Sequence, residues 1–197
     1  MENKPKVMEP IILNWKNKNA IEKAKKTILD GGILVYPTDT IYGFGVDATN
    51  PDSINKLNKI KNRNGPISVI APNNRTVSTW INIPNDEKNL ASNKLKPFKT
   101  IIYPVHENIV NNLILGPNNT LGIRIPDHPF CKSLSEECKV PITTTSVNRS
   151  GGLPKKNVGE ILDSFQSSID SIIEDGELSG SSSSIYLYQS KTMKKIR

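Results

Sequence analysis

The chain is poor in the residues that most often carry covalent or metal chemistry. Two cysteines, Cys131 and Cys138, and two histidines, His106 and His128, stand among 197 residues. A disulfide framework needs more thiols and an oxidising compartment, so this pair reads as plain thiols packed in a reducing cytosol. With His128 the two cysteines offer three zinc ligands at most. No fourth ligand or paired spacing accompanies them, and no metal centre is expected. His106 reads as a surface or packing residue. Aromatic residues make up 6% of the chain, sparse for a base-stacking platform. No apolar run approaches bilayer length. The opening "MENKPKVMEP" has an acid at position two and no apolar leader segment. That favours the cytosol, or a nuclear or viral compartment reached without a leader.

Familiar phosphate motifs are missing as well. There is no G-x-x-x-x-G-K-[ST] loop, so any ATP must be held by another architecture. Gly43 to Ala48, "GFGVDA", fits G-x-G-x-x-A. That fingerprint should open directly into a helix and be followed by an acidic residue about 20 positions on. Here the next helix starts later, and that region holds Lys61 and Arg63 instead. A dinucleotide site is excluded on both counts.

What is present is charge, and alternation. The formal net charge is +7, which suits either a solvated surface or a site for phosphates or RNA. Helical spacing runs through "NAIEKAKKTILDGG", with Ala20, Ile21, Ala24, Ile28 and Leu29 apolar and a two-glycine stop. "NPDSINKLNKI" carries Asn50 as an N-cap and Pro51 at the first helical position. "VGEILDSFQSSI" reads as a further helix. Strands are expected at "ILVY", "ISVIAP", "TIIYPV", "LGIRIP" and "VPITTTS", with a closing pair at "SSIYLY" and "MKKIR". The polar stretch 73–93 shows no decisive pattern, and "SGSSSS" is a short loop. No repeat or long linker divides the chain, so residues 1–197 read as one α/β or mixed α+β domain.

Three short polar pairs fall at the ends of these elements. Thr38 and Thr40 share one face of an extended chain, with Asp39 opposite, and Ser146 and Asn148 repeat that spacing. Lys61 and Arg63 do so too if the helix breaks ahead of "NGP", Asn64 to Pro66. Sites are often built at element ends, and this spacing alone points to a phosphate-binding α/β domain. Asp39 and Asp47 are possible bases by type, but turn or capping roles suit them better.

The pieces also occur in a known order. "YPTDTIYGFGVDATN", then "KNR", "TLGIRIPDHP" and "TTSVNRSG", together resemble the YrdC/TsaC family of threonylcarbamoyl-AMP synthases, from about Ile33 onward. The resemblance implies a single α/β domain with a twisted mixed β-sheet, flanking helices and a concave basic cavity. It implies condensation of L-threonine, bicarbonate or CO2 and ATP, with Mg2+, to threonylcarbamoyl-adenylate and pyrophosphate. A separate transferase complex would then pass the group to tRNA. On that resemblance Thr40, Arg124, Ser146 and Ser183 bind threonine. Lys61, Arg63, Thr120, Asn148 and Arg197 bind ATP, and no residue is assigned as general base. Departures from the family pattern are the missing proline after Arg63, Ile70 where many members carry histidine, Val147 for alanine, and no aspartate after the serine pair. The alternatives are a non-catalytic RNA-binding module and a carbamoyl-transfer domain. The latter normally comes with acylphosphatase and zinc-finger modules that are not seen here. No additional C-terminal domain is expected after Arg197, and no membrane association.

Overall fold

Apolar residues at helical and strand spacing sort this chain into ten strands and six helices, which the computed structural model describes for residues 9–197. In chain order come β1 (Ile11–Asn14), α1 (Ala20–Leu29), β2 (Leu34–Tyr36), β3 (Gly43–Gly45), α2 (Pro51–Lys61) and β4 (Ser68–Ile70). Next are α3 (Asn74–Trp80), α4 (Asn85–Ser92), β5 (Lys99–Pro104), β6 (Thr120–Arg124), α5 (Pro129–Cys138) and β7 (Ile142–Ser146). The chain closes with α6 (Val158–Phe165), β8 (Ser171–Glu174), β9 (Ser184–Gln189) and β10 (Thr192–Lys195).

All ten strands join one mixed sheet in the order β1-β8-β2-β3-β7-β4-β6-β5-β9-β10. The centre is the antiparallel pairing of β7 with β4, where Ser68 faces Thr144 and Ile70 faces Ile142. Parallel pairs flank it, β4 with β6 and β2 with β8. The larger core includes Val35, Phe44, Val69 and Ile123 from the sheet, packed with α2, α3, α4 and α6 through Leu57, Val77, Ala91 and Ile161. A second core lies under α1 and α5, where Ala24 and Ile28 meet Phe130, Leu134, Leu34 and Tyr36. Burying a side chain such as Phe130 contributes about 1.5–3 kcal/mol.

Local chemistry sets the helix starts. The Asn50 side chain accepts from the amides of Asp52 and Ser53, with Pro51 opening α2. Asp47 accepts from the Thr49 amide and hydroxyl at 2.8 and 2.7 Å, an Asx turn of the kind expected for it. At α5 the cap is unusual: His128 Nδ1 accepts from the Phe130 amide at 3.2 Å, and Pro129 takes the first helical position.

Several elements differ from the sequence reading. The stretch 73–93 holds two short helices, the first capped by Asn73 on the Thr76 amide. Helix α5 was not among the expected elements; Cys131 and Cys138, expected as packed thiols, join Phe130 and Leu134 in its buried stripe, and His128 caps it. β1 and β8 are four-residue strands that the sequence reading did not include. "GFG" forms β3 although two of its three residues are glycines. A Cβ on Gly45 would lie 2.7 Å from the Tyr36 ring, so the absence of a side chain is what lets β3 pass it. The helix expected over 158–169 ends at Phe165 and tightens into a short turn, Gln166–Ser168. No helix among the described residues is long and apolar enough to cross a membrane. The expectation about "MENKPKVM" lies outside the described residues.

Candidate active site

β2 ends at Tyr36 and the chain turns sharply before β3. In that turn the Thr38 hydroxyl donates to the Ile41 carbonyl at 2.7 Å and accepts from the amides of Thr40 and Ile41. With its proton used there, Thr38 accepts from the Thr40 hydroxyl at 2.9 Å. The two threonines therefore meet through a bend rather than on one face of a strand. Asp39 does not point away either. Its carboxylate pairs with Arg124 Nη2, and its second oxygen accepts from the Phe98 amide at 3.0 Å.

Arg124 ends β6 and is 6% exposed. Its Nη1 and Nη2 donate to the Thr40 hydroxyl at 3.3 and 3.2 Å, while Nε is buried without a partner. A buried donor left unpaired costs on the order of 1–3 kcal/mol. The Asp39 contact was not foreseen. The signal available was an acid between two hydroxyls, which by itself only suggests a turn.

On the opposite wall α2 runs to Lys61, and Asn62 turns left-handed at φ 53°. The helix ends ahead of "NGP", as that signal suggested, but through a left-handed residue rather than an extended one. Both Lys61 and Arg63 reach the cavity. Lys61 is buried and its Nζ donates to Ser146 O, Asn148 O and Asn148 Oδ1 at 2.6, 2.9 and 3.1 Å. Burial, with Arg63 adding to it, pushes its ammonium down to about 8. Arg63 is exposed. Ser146 and Asn148 also meet through a turn, the Ser146 hydroxyl donating to Asn148 Oδ1.

The closing strands supply the last wall. The hydroxyls of Ser183 and Thr100 are 2.8 Å apart, and Arg197 Nη2 donates to the Ser183 carbonyl at 3.3 Å. The serine run has a visible purpose in this position. A Cβ on Gly180 would fall 2.3 Å from the Thr40 carbonyl oxygen, so the segment crosses directly over that turn. Thr120 is the exception among the expected residues: it is absent from the cavity wall, and its hydroxyl donates to Pro117 O at 2.8 Å. It lies on the same face of β6 as Gly122 and Arg124, farther out.

These walls enclose an open cavity of about 330 Å3, within the range of small-ligand sites. Thr40, Lys61, Arg63, Arg124, Ser146, Asn148, Ser183 and Arg197 all line it. Further hydroxyls come from Ser68, Thr100 and Thr144. The run "ITTTS" in β7 was the available sign of Thr144, since a buried strand has little other use for so many hydroxyls; Ser68 and Thr100 lie in β4 and β5 and had no such sign. Among the described residues no carboxylate lines the cavity, and no cluster of His, Cys, Asp or Glu could hold a metal. The donor set is cations and hydroxyls, which suits an anion with polar groups.

A family model described as "Telomere recombination", Sua5_yciO_yrdC, matches residues 26–197. A threonylcarbamoyl-AMP synthase of Hydrogenovibrio crunogenus is 31% identical, over 90% of this chain and 96% of that relative. A putative threonylcarbamoyl-AMP synthase of Methanocaldococcus jannaschii is 32% identical, over 81% of this chain and 75% of its own. Among solved structures, P. abyssi Sua5 complexed with L-threonine superposes with a TM-score of 0.85 at 22% identity, covering 96% of this chain and 57% of that one. E. coli YciO gives 0.82 at 22% identity, covering 96% and 93%. With nearly all of its sheet inside the matched region, the chain belongs to the Sua5/YciO/YrdC family.

Proposed function

We propose that this chain is a threonylcarbamoyl-AMP synthase, joining L-threonine, bicarbonate or CO2 and ATP. The observation that carries this reading is Arg124. Its guanidinium sits on the Thr40 hydroxyl with one donor unpaired, in a cavity whose other charged walls are cationic. A planar guanidinium suits a carboxylate, and the Thr40 and Ser183 hydroxyls suit the substrate's polar groups. Ser146, which lines the same cavity, is assigned to threonine. Arg63 and Arg197 meet the triphosphate, with Lys61 and Asn148 beside them and Thr120 toward the outer rim. The same names in relatives about 30% identical, and the threonine complex of the P. abyssi protein, support this assignment.

The chemistry then needs little from side chains. The threonine amine adds to CO2 and loses a proton, giving a carbamate. A carbamate oxygen attacks the α-phosphorus of ATP, the bond to the β-phosphate oxygen breaks, and pyrophosphate leaves. Positioning and neutralisation of the phosphate charge supply the acceleration. Mg2+ arrives as part of the nucleotide substrate, because the cavity wall offers hydroxyls and cations rather than the carboxylates a resident ion prefers. The product is a mixed anhydride that a transferase complex would hand to tRNA.

The test is incubation with ATP, Mg2+, bicarbonate and L-threonine, following threonylcarbamoyl-adenylate and pyrophosphate. Threonine-dependent product, lost in Arg63→Ala and Arg124→Ala, is expected. A folded protein that binds ATP but makes no product sinks the proposal, and salt-dependent RNA binding would then mark a non-catalytic module.

A further inference from the structure

Lys61 and Arg63 stand two residues apart at the same cavity, yet their surroundings differ sharply. An ammonium has three N–H donors, and all three of Lys61 are taken by oxygens of one turn, Ser146 O, Asn148 O and Asn148 Oδ1. Its main chain joins the same turn, the Lys61 carbonyl accepting from the Ser150 amide at 2.9 Å. Lys61 is 3% exposed, with the Phe44 ring 5.7 Å from Nζ.

The Asn148 carboxamide is equally occupied. Its oxygen accepts from Lys61 and from the Ser146 hydroxyl. Its nitrogen donates to Arg149 O at 2.9 Å and Gly152 O at 2.7 Å. Two donors and two acceptor positions are all an amide has. Arg63, by contrast, leaves the helix exposed beside the cavity.

We infer that Lys61 is a positioning residue: its ammonium, acting with Asn148, shapes the turn from Ser146 to Gly152 that presents Ser146, Ser150 and Gly151 to the cavity, while Arg63 is the cation that meets the triphosphate. This inference rests on the synthase reading and refines the roles within it. A phosphate could reach Lys61 only by displacing one of three oxygens that already hold it, whereas Arg63 need give up nothing. Burial and the nearby Arg63 lower the proton affinity of the ammonium, which makes those three acceptors necessary if it is to stay charged. Because Ser146 belongs to the same turn, losing Lys61 disturbs more than the nucleotide.

The experiment measures calorimetric binding of L-threonine alone, and of a non-hydrolysable ATP analogue with Mg2+. The proteins are wild type, Arg63→Ala, Lys61→Met, Asn148→Ala and the Lys61→Met/Asn148→Ala double variant. Arg63→Ala should weaken the analogue by about tenfold or more and leave threonine within about twofold. Lys61→Met should weaken both ligands, as Asn148→Ala does, and the double variant should be no worse than the poorer single one. Loss of analogue binding alone in Lys61→Met, additive with Asn148→Ala, overturns the inference and leaves the synthase reading standing. Wild-type protein that binds neither ligand overturns both. A measurement without substitution guards against a variant that does not fold. The 15Nζ signal of Lys61 in the wild type should be protected from exchange before ATP analogue is added and keep its shift afterwards. An Nζ signal that is unprotected, or that moves on nucleotide binding, overturns the positioning role.

Discussion

At the scale of single residues the site is organised by one buried ion pair. Asp39 and Arg124 side chains are 3% and 7% exposed. Such a pair contributes little net stability compared with apolar packing, but removing one partner strands the other. Arg124→Met is therefore expected to cost about 3–5 kcal/mol in urea unfolding, and to abolish threonine-dependent pyrophosphate release. Asp39→Asn can keep the bond to the Phe98 amide through its one oxygen, and then turns an NH2 donor toward Arg124 in place of the carboxylate. It should retain the fold and raise KM for threonine, since the Arg124 fork loses the partner that aims it. The cysteines illustrate the opposite case, buried thiols that do not line the cavity. Burial pushes the Cys131 thiol strongly upward and Cys138 to about 11. A raised thiol pKa means a small thiolate fraction at neutral pH. Neither should react with Ellman's reagent at pH 8 in the native protein, and both should react in denaturant.

At the scale of elements, function rests on where helices and strands stop. α2 ends on Lys61 because Asn62 accepts a left-handed conformation, and that single turn sends Arg63 outward. α5 begins where His128 caps it, which also sets the ring against Trp15 and Asp175. Replacing His128 with alanine should lower stability by about 1 kcal/mol, the usual loss for a missing N-cap, without changing threonine affinity. The strap before β9 behaves differently. Gly180→Ala would drive a methyl group into the Thr40 carbonyl, lifting Ser182 and Ser183 from the cavity. Displacement of about 1 Å near reacting groups can lower rates by two orders of magnitude. The expected result is a large fall in kcat/KM for threonine with a nearly unchanged melting temperature. A melting temperature that falls in step with activity would count against the strap as a wall of the site.

At the scale of the molecule, the cavity is a property of the sheet order. β3, β7, β4, β6, β5 and β9 are neighbours in the sheet, and they bring together residues from Thr40 to Ser183. The sheet ends at β10, whose following residue pair, Ile196 and Arg197, bonds back to Ile185. Truncation after Gln189 removes β10 and Arg197 but leaves β9 paired with β5. This shortened protein should remain folded with a melting temperature lower by several degrees. Its affinity for an ATP analogue should fall by about tenfold or more, the loss expected for one charge-assisted contact to phosphate. An unchanged nucleotide affinity would remove Arg197 from the site.

Much of this protein was determined by local sequence. The α2 start at Asn50-Pro51, the apolar strands and the stop after α1 each follow from the chemistry of a few neighbouring residues, because capping, spacing and backbone freedom act over one turn or less. The polar pairs were legible for the same reason, although their geometry was not: Thr38 with Thr40 and Ser146 with Asn148 meet through bends whose hydrogen bonds the spacing does not specify. Only the tertiary structure decided the rest. α5 and the short strands β1 and β8 carry weak local signals and are held by packing against α1 and β2. The Asp39–Arg124 pair and the three bonds to the Lys61 ammonium join residues some 85 positions apart. Such contacts depend on which strands become neighbours, and that is a collective outcome of burying one sheet between two helical layers.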